Sequence, residues 1–380
     1  MKNAEHTIQM ENDKTGLLFP SLASGNNGDN ENAHFLLVVQ GSEQGRALEL
    51  NQQPLTIGRQ IDNELCLHDP CVSKQHCEIT LDHDLVWVTD LNSTNGTFLN
   101  EQRIAGKVAW PEGGLLRVGG HVLKHEYHHK QSMEESATLA ADFKKAGAYV
   151  QSLLPMPIMA GPVRVDWCFV PSAMLGGDSL GYYWLDSERF VFYLVDVCGH
   201  GIGPAMHAVS VLNVLRHRYL SGVDFGEPSE VLGKLNAVLP MEEHADMFFS
   251  IWYGVYRISN RLLTFASGGH PPAILLAPDS LAARDLNTPG LFVGVMPAGE
   301  YAQQSLKLAP GSTLCVFSDG VYEITQADGN EWSLEELRAL LAAQAGSATL
   351  SAHSVYRKVL SLARNGKIGD DFSLMILCFP

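Results

Sequence analysis

FVFYLVDVCGHGIGPAM, Phe190–Met206, is the stretch whose reading decides how the second half of the chain folds. It opens with the unbroken apolar run FVFYLV, rich in aromatic and β-branched residues, and a run of that length reads as a buried strand. The run ends at Asp196. Gly199, Gly201 and Gly203 then surround His200, and a helical-looking segment, PAMHAVSVLNVLRHRYL, follows. A carboxylate at the mouth of a buried strand, followed by a loop too rich in glycine to block a ligand, is how a metal or phosphate site is built.

Counting upstream places a second carboxylate beside the first. GGDSLGYYWLDSERFVFYLVDV divides into two apolar segments around the polar turn Asp186-Ser187-Glu188-Arg189. A hairpin centred between Ser187 and Glu188 sets Asp178 across from Asp196 and Val197, and directly opposed residues have Cβ atoms about 4.5–5.5 Å apart. Two carboxylates that close repel each other, and a cation between them is the natural resolution. Two solvated turn aspartates are the plain alternative, which the pairing and the glycines weaken.

The rest of this half repeats the device. After a helix near Glu227–Leu239, MFFSIWYGVYRI and LLTFASGG read as a strand pair turning at Ser259-Asn260, and STLCVFSDG is a further strand ending at Asp319. Ser333 and Glu336 of SLEELRALLAAQ form a capping box. A helix follows near 350–364, and IGDDFSLMILCF is a last strand entered through Asp370-Asp371. Four strand termini therefore carry Asp: Asp178, Asp196, Asp319, and Asp370 or Asp371. Oxygen ligands without a nearby set of Cys or His select hard cations, Mg²⁺ or Mn²⁺, over zinc. Two such ions about 3.5–4 Å apart generate a nucleophilic water and clamp the oxygens of an in-line phosphoryl displacement. No GxSxG elbow, no phosphocysteine pattern around Cys198 and no GxxxxGK[ST] loop competes with that reading. His200 and His270 are either general acids or glycine-flanked structural histidines.

GGD at 176–178, DVCGHG at 196–201, SGGHPP at 267–272, FSDGVYE at 317–323 and GDDFSLMIL at 369–377 stand in one order along the chain. In these motifs the chain resembles the SpoIIE/RsbU-type bacterial branch of the PPM metal-dependent protein phosphatases, over about residues 160–380. The resemblance implies an αββα sandwich with a dinuclear Mn²⁺ or Mg²⁺ site held by Asp178, Asp196, Asp319, Asp370 and the backbone carbonyl of Val197. It also implies that metal-activated water attacks phosphoserine or phosphothreonine directly, with no phosphoenzyme. Gly181 stands where the second acid of a GGDxxD pattern would fall, which weakens an auxiliary site. Cys198 replaces the usual Ser of DVSGHG and puts an oxidisable thiol beside the metals. No core ligand is lost.

Composition bounds the whole. The 380 residues have room for two or three domains, and 46% hydrophobic with 18% charged residues is a soluble globular balance. A net charge of −16, from 26 Lys+Arg against 42 Asp+Glu, argues against bulk nucleic-acid or anionic-membrane binding. No apolar stretch approaches a membrane span and the N-terminus lacks a signal-peptide core, so a cytoplasmic setting is expected. The seven scattered cysteines read as reduced core thiols, and Cys66, Cys71 and Cys77 do not have zinc-site spacing.

Residues 1–33 are polar, rich in Asn, Glu, Ser and Gly, and read as a disordered tail. From Phe35 to about His128, short alternating runs such as ALELNQ, CEITLDHD, LVWVTDL and LLRVGG are separated by turn signals, which predicts an all-β sandwich. Its loops carry Gly58-Arg59, Ser73-Lys74-Gln75-His76 and Asn92-Ser93-Thr94-Asn95-Gly96-Thr97. Arg59 offers a planar fork of donors for phosphate oxygens, Ser73 and Thr94 add hydroxyls, and the Asn95 amide can both donate to and accept from a peptide backbone. In the pattern GR, SxxH, NG, residues 35–125 resemble a forkhead-associated (FHA) domain. The resemblance implies phosphothreonine-peptide binding, with Arg59, Ser73 and Thr94 on the phosphate and Lys74 and Asn95 on the peptide. It makes Gly58, His76 and Gly96 architectural. Such a domain can also dock within its own chain without phosphate. His121, His125, His128 and His129 read as the end of a strand and a polar exit segment without fixed geometry, rather than as a metal site.

Between the halves, Leu139, Phe143, Ala146, Val150 and Leu153 recur at spacings of four and three, so residues 132–154 predict an amphipathic helix with a coiled-coil-like seam. Leu154-Pro155 and Pro157 end it. The seam can lie on its own domain or join two copies as a homodimer. By resemblance, such a helix transmits the state of an N-terminal sensor and would couple FHA occupancy to phosphatase activity. The expected layout is a tail at 1–33, an FHA domain at 34–128, a helical linker at 129–158 and an α+β phosphatase at 159–380. The function expected of it is a bacterial signalling serine/threonine phosphatase recruited or regulated through phosphothreonine. Family analogy suggests a phosphorylated anti-sigma-factor antagonist as substrate. A phosphothreonine-reading adaptor on a non-catalytic scaffold is the alternative, against which the retention of four Asp argues.

Overall fold

The computed structural model describes residues 32–41, 43–278, 283–344 and 350–380, and the chain divides into two compact units, Met1–Ala141 and Asp142–Pro380. The tail expected at 1–33 lies outside the described residues, apart from Asn32 and Ala33, which already belong to the first strand, Asn32–Gln40.

The first unit is an all-β sandwich of a six-stranded and a five-stranded sheet. Inward residues of both, among them Leu36, Val38, Ile57, Val88, Leu116 and Leu123, are removed from solvent in one core. The polar exit segment expected after His121 is instead a regular strand, His121–His129, paired with Asn32–Gln40 from Asn32↔His129 onward. The reason is its alternation. His121, Leu123 and His125 take the inward positions of a period-two pattern, so two of the residues that made the segment look polar are buried.

The second unit stacks two five-stranded antiparallel sheets between two layers of helix. One sheet contains Asp178–Trp184, Arg189–Val197, Phe249–Arg257, Leu262–Gly268 and Gln303–Lys307 in spatial order. The other has Phe372–Phe379 and Ser312–Phe317 at its centre and Arg164–Val170 on an edge. FVFYLV is apolar throughout because both of its faces are covered. Phe190, Phe192 and Leu194 point into the core between the sheets, and Val191, Tyr193 and Val195 into a second core. That second core is closed by helices Ile202–Arg216 and Pro228–Val238. The last strand divides in the same way. Met375, Leu377 and Phe379 meet the inter-sheet core, and Phe372, Leu374 and Ile376 meet helices Leu334–Ala343 and Ala352–Leu362. Each such fully buried side chain contributes about 1.5–3 kcal/mol of transfer free energy. This layering brings the C-terminal end of Arg189–Val197 and the entry to Phe372–Phe379 to loops at which carboxylates can gather.

The helix Lys130–Leu153 contains the division between the units. In the second unit Leu153 packs on the helix-side core and accepts a hydrogen bond from Arg216 Nη1 at 3.3 Å, while Tyr149 stays exposed. No helix among the described residues is long and apolar enough to cross a membrane.

Candidate functional site

Asp178 stands directly opposite Asp196 in the ladder between their two strands, and the turn centres on Ser187, half a residue from the expected position. Asp178 is buried, and its Oδ2 has no hydrogen-bond partner among the described residues. Burial raises its carboxyl well above the ordinary range, and the charges of Asp196 and Asp371 add to the effect. Asp196 is pushed up to about 7 by burial and by Asp319, Asp370 and Asp371. Asp319, at the end of Ser312–Phe317, is pushed up to about 6 by burial, Asp370 and Glu323. These carboxylates lie close enough to oppose one another's ionisation, which is the electrostatic condition a bound cation relieves. Among the described residues, no group of three or more His, Cys, Asp or Glu side chains is already arranged to hold a metal ion. An all-oxygen set containing a buried, unpartnered acceptor fits a hard divalent cation.

Two adjacent aspartates at the last strand differ in kind. Asp371 is buried and its carboxylate is fully engaged. Ser172 donates to Oδ1 from N and Oγ at 2.7 and 2.8 Å, and the N–H groups of Gly177 and Asp178 donate to Oδ2 at 2.6 and 3.3 Å. Asp370 is exposed, and its carboxylate accepts one bond, from Asp371 N at 2.7 Å. Asp371 therefore ties the loop carrying Asp178 to the last strand. Sequence reasoning missed this role, and only the doubled Asp hinted at it. A side chain at Gly177 would put Cβ 2.6 Å from Val197 O and 2.9 Å from Gly199 O, so the loop closes down on those carbonyls. Gly199 and Gly201 hold φ of 91° and 100°, which keeps the loop between them bare. His200 and Cys198 on that loop are exposed. His270 is buried and donates from Nδ1 to the Pro271 carbonyl at 3.0 Å.

In the first unit, Arg59, Ser73, Lys74, Thr94 and Asn95 come together on one end of the sandwich. Arg59 N donates to Ser73 O at 2.8 Å, Thr94 N donates to Ser73 Oγ at 3.0 Å, and Asn95 Nδ2 donates to Cys71 O at 2.7 Å. The Asn95 carbonyl and one of its N–H bonds remain for a ligand. Beneath them His76 is buried and accepts from Ser73 N at Nδ1 (3.1 Å), so its Nε2 carries the proton and donates to Gly96 O at 3.2 Å. Asp90, which sequence reasoning passed over, accepts from Ser93 N, Ser93 Oγ and Thr97 Oγ1 at 3.1, 2.6 and 2.6 Å and so shapes the loop between them. Arg59 and Lys74 are exposed, and neither side chain has a hydrogen-bond or ion-pair partner among the described residues.

Comparison with known proteins agrees with both halves. The profile of the family described as Stage II sporulation protein E (SpoIIE) matches residues 186–380, and that of the FHA domain matches residues 55–119. Phosphoserine phosphatase RsbU of Bacillus subtilis is 28% identical over 211 residues, 55% of this chain and 61% of its own length. Phosphoserine phosphatase RsbP of the same organism is 27% identical over 173 residues, 45% of this chain and 43% of its own length. The chain thus spans about half the length of these two relatives. The FHA domain-containing protein FhaB of Mycobacterium tuberculosis is 36% identical over 87 residues, 23% of this chain and 56% of its own. The SiaA-PP2C domain of Pseudomonas aeruginosa matches with a TM-score of 0.56 at 17% identity, over 65% of this chain and 99% of that domain. At that identity the likeness establishes the fold.

Proposed function

The chain belongs to the SpoIIE family, and from that premise we propose that it is a metal-dependent phosphoprotein phosphatase acting on phosphoserine or phosphothreonine, recruited or regulated through an FHA domain. The observation that carries this reading is the direct opposition of Asp178 and Asp196, with a buried, unpartnered oxygen and the charges of Asp319 and Asp370 bearing on the same place. Asp178, Asp196, Asp319 and Asp370, with the carbonyl of Val197, would hold two ions of Mn²⁺ or Mg²⁺. Such a pair, when bound, supplies an activated water and neutralises the phosphoryl oxygens. Asp371 keeps the Asp178 loop in place through its four accepted hydrogen bonds. The bare loop from Gly199 to Gly201 leaves room for a protein-borne phosphate.

At the other site, Arg59 with Ser73 and Thr94 receives the phosphate of a phosphothreonine, and Lys74 and Asn95 hold the peptide. On this reading residues 34–128 are the recognition domain, 129–158 a linker that can also join two copies, and 159–380 the catalytic domain of a cytoplasmic signalling enzyme. The names of the two phosphatase relatives favour a phosphoserine protein as substrate. The test is hydrolysis of p-nitrophenyl phosphate and of phosphoserine and phosphothreonine peptides with Mn²⁺, Mg²⁺ or EDTA, in wild type and Asp196→Asn. Turnover that requires metal and disappears in the variant is expected. A folded chain that binds phosphothreonine peptide but turns over nothing with any metal would make it an adaptor. For the linker, Phe143→Asp with Val150→Asp should change basal turnover or its response to phosphopeptide, and no change in either would remove the coupling role.

A further inference from the structure

The strand Cys77–Asp82 runs from the Ser73–His76 loop to the turn at His83-Asp84. At that far end of the first unit, His34, Asp84, Trp110, Glu112, His125 and Tyr127 line a pocket of about 310 Å³. Its wall contains hydrogen bonds that can run in only one direction while both rings are neutral. The Trp110 carbonyl can only accept, so His125 donates to it from Nδ1 at 2.9 Å. The neutral His125 ring then has a lone pair at Nε2, and His34 donates to that atom from Nδ1 at 2.9 Å. The neutral His34 ring is left with a bare lone pair at its own Nε2.

That nitrogen is buried without a hydrogen-bond partner among the described residues, its residue is only 8% exposed, and Asp84 Oδ1 stands 3.9 Å from it. An acceptor facing an acceptor is unfavourable until something positive comes between them.

We propose that this pocket is a second metal site, a clasp for a divalent transition metal of the zinc class. His34 Nε2 and Asp84 supply its two donors, Glu112 stands on the rim, and solvent completes the coordination. Zinc bonds of about 2.0–2.1 Å put tetrahedral ligand atoms about 3.3–3.4 Å apart. The Asp84 side chain is 89% exposed and can close the remaining gap. Outward from the metal, His34 leans on His125 and His125 on a backbone carbonyl, the kind of support that fixes a liganding imidazole. The His34 ring also lies 4.5 Å from the Tyr127 ring, which limits its rotation. An imidazole donor selects zinc, nickel or copper over Mg²⁺ and Mn²⁺, so this site and the all-carboxylate cluster would draw different ions. Because His34 lies on one sheet and Asp84 in the turn joining two strands of the other, a bound ion would staple the two together.

The test uses the full chain with Asp178→Asn and Asp196→Asn in every sample, which silences the acidic cluster. Co²⁺ is titrated in and followed by its d–d absorption, and Zn²⁺ is then added in competition. The proposal predicts one Co²⁺ bound with a nitrogen–oxygen spectrum and displaced by Zn²⁺. Affinity should fall at least about tenfold in His34→Gln and in Asp84→Asn and be unchanged in Cys66→Ser. Asp84→Asn changes an exposed side chain, so it decides the matter even where His34→Gln disturbs folding. Equal affinity in Asp84→Asn and the parent, no Co²⁺ uptake, or a thiolate band lost in Cys66→Ser would each overturn the proposal.

Discussion

In the first unit, Arg59, Lys74 and Asn95 present donors to solvent on a hydrogen-bonded frame, with His76 and Asp90 buried or half-buried beneath them. In the second, burial and neighbouring carboxylates raise Asp178, Asp196 and Asp319 above the ordinary carboxylate range, with Asp196 and Asp371 acting on Asp178, Asp319, Asp370 and Asp371 on Asp196, and Asp370 and Glu323 on Asp319. The contrast lies in what a ligand must supply. An anion meets a finished surface in the first unit, because exposed cations remain solvated and cost little to hold apart. In the second, buried carboxylates are held back from ionising, a condition that a bound cation would relieve. Mutations at the first site should therefore weaken binding and leave folding alone, whereas those at the second should change metal affinity, turnover and stability together.

The largest expected effect is at the second site. Asp196→Asn should remove metal-dependent turnover by several orders of magnitude while phosphothreonine-peptide binding, followed by fluorescence anisotropy, stays at the wild-type level. Loss of both would break the contrast. Next is Arg59→Ala. Charge-assisted hydrogen bonds are each worth about 1.5–3 kcal/mol, so peptide affinity should drop about 10–100-fold with p-nitrophenyl phosphate turnover unchanged.

Asp371→Asn sharpens the contrast, because it alters a residue whose carboxylate ties the loop carrying Asp178 to the last strand. Its amide cannot accept all four N–H and O–H donors, and Mn²⁺ affinity measured by calorimetry should fall about 10–100-fold, with turnover partly recovered at high Mn²⁺. An unchanged Mn²⁺ affinity would reduce Asp371 to a packing role.

The last effect concerns pH. Burial lowers His270 from 6.5 to about 4. Between those values the unfolded chain binds a proton that the folded chain does not, so stability is complete above about pH 6.5 and falls as the pH drops toward 4, by at most about 1.4 kcal/mol per pH unit. Denaturant titrations of wild type and His270→Gln should differ by that one-proton slope, and identical slopes would count against it.

Much of this could be read in the chain itself. FVFYLV was legible because every one of its residues faces one of two cores, so no polar residue interrupts it. The pairing of Asp178 with Asp196 followed from counting around a short turn, which is a local property. Arg164–Val170 gave no such signal. Its Arg164 and Asp166 break the apolar run, and the strand is defined by pairing with the far end of the chain, from Arg164↔Cys378 to Val170↔Phe372. His121–His129 was hidden for another reason: histidines sit where aliphatic residues usually mark the inward face. Asp370 and Asp371 are chemically identical in sequence, and their difference arises only where the backbone turns one toward Ser172 and Gly177 and leaves the other exposed.

The central claim is that the carboxylates of the second unit assemble a pair of hard cations that carry out phosphate hydrolysis. It is tested most directly by titrating the full chain with Mn²⁺ and following, in the same samples, the ions bound and the phosphate released from a phosphoserine peptide. Two Mn²⁺ per chain, turnover that rises with their occupancy, and loss of both in Asp178→Asn with Asp196→Asn are predicted. Turnover that persists in EDTA, or in that double variant, would contradict it.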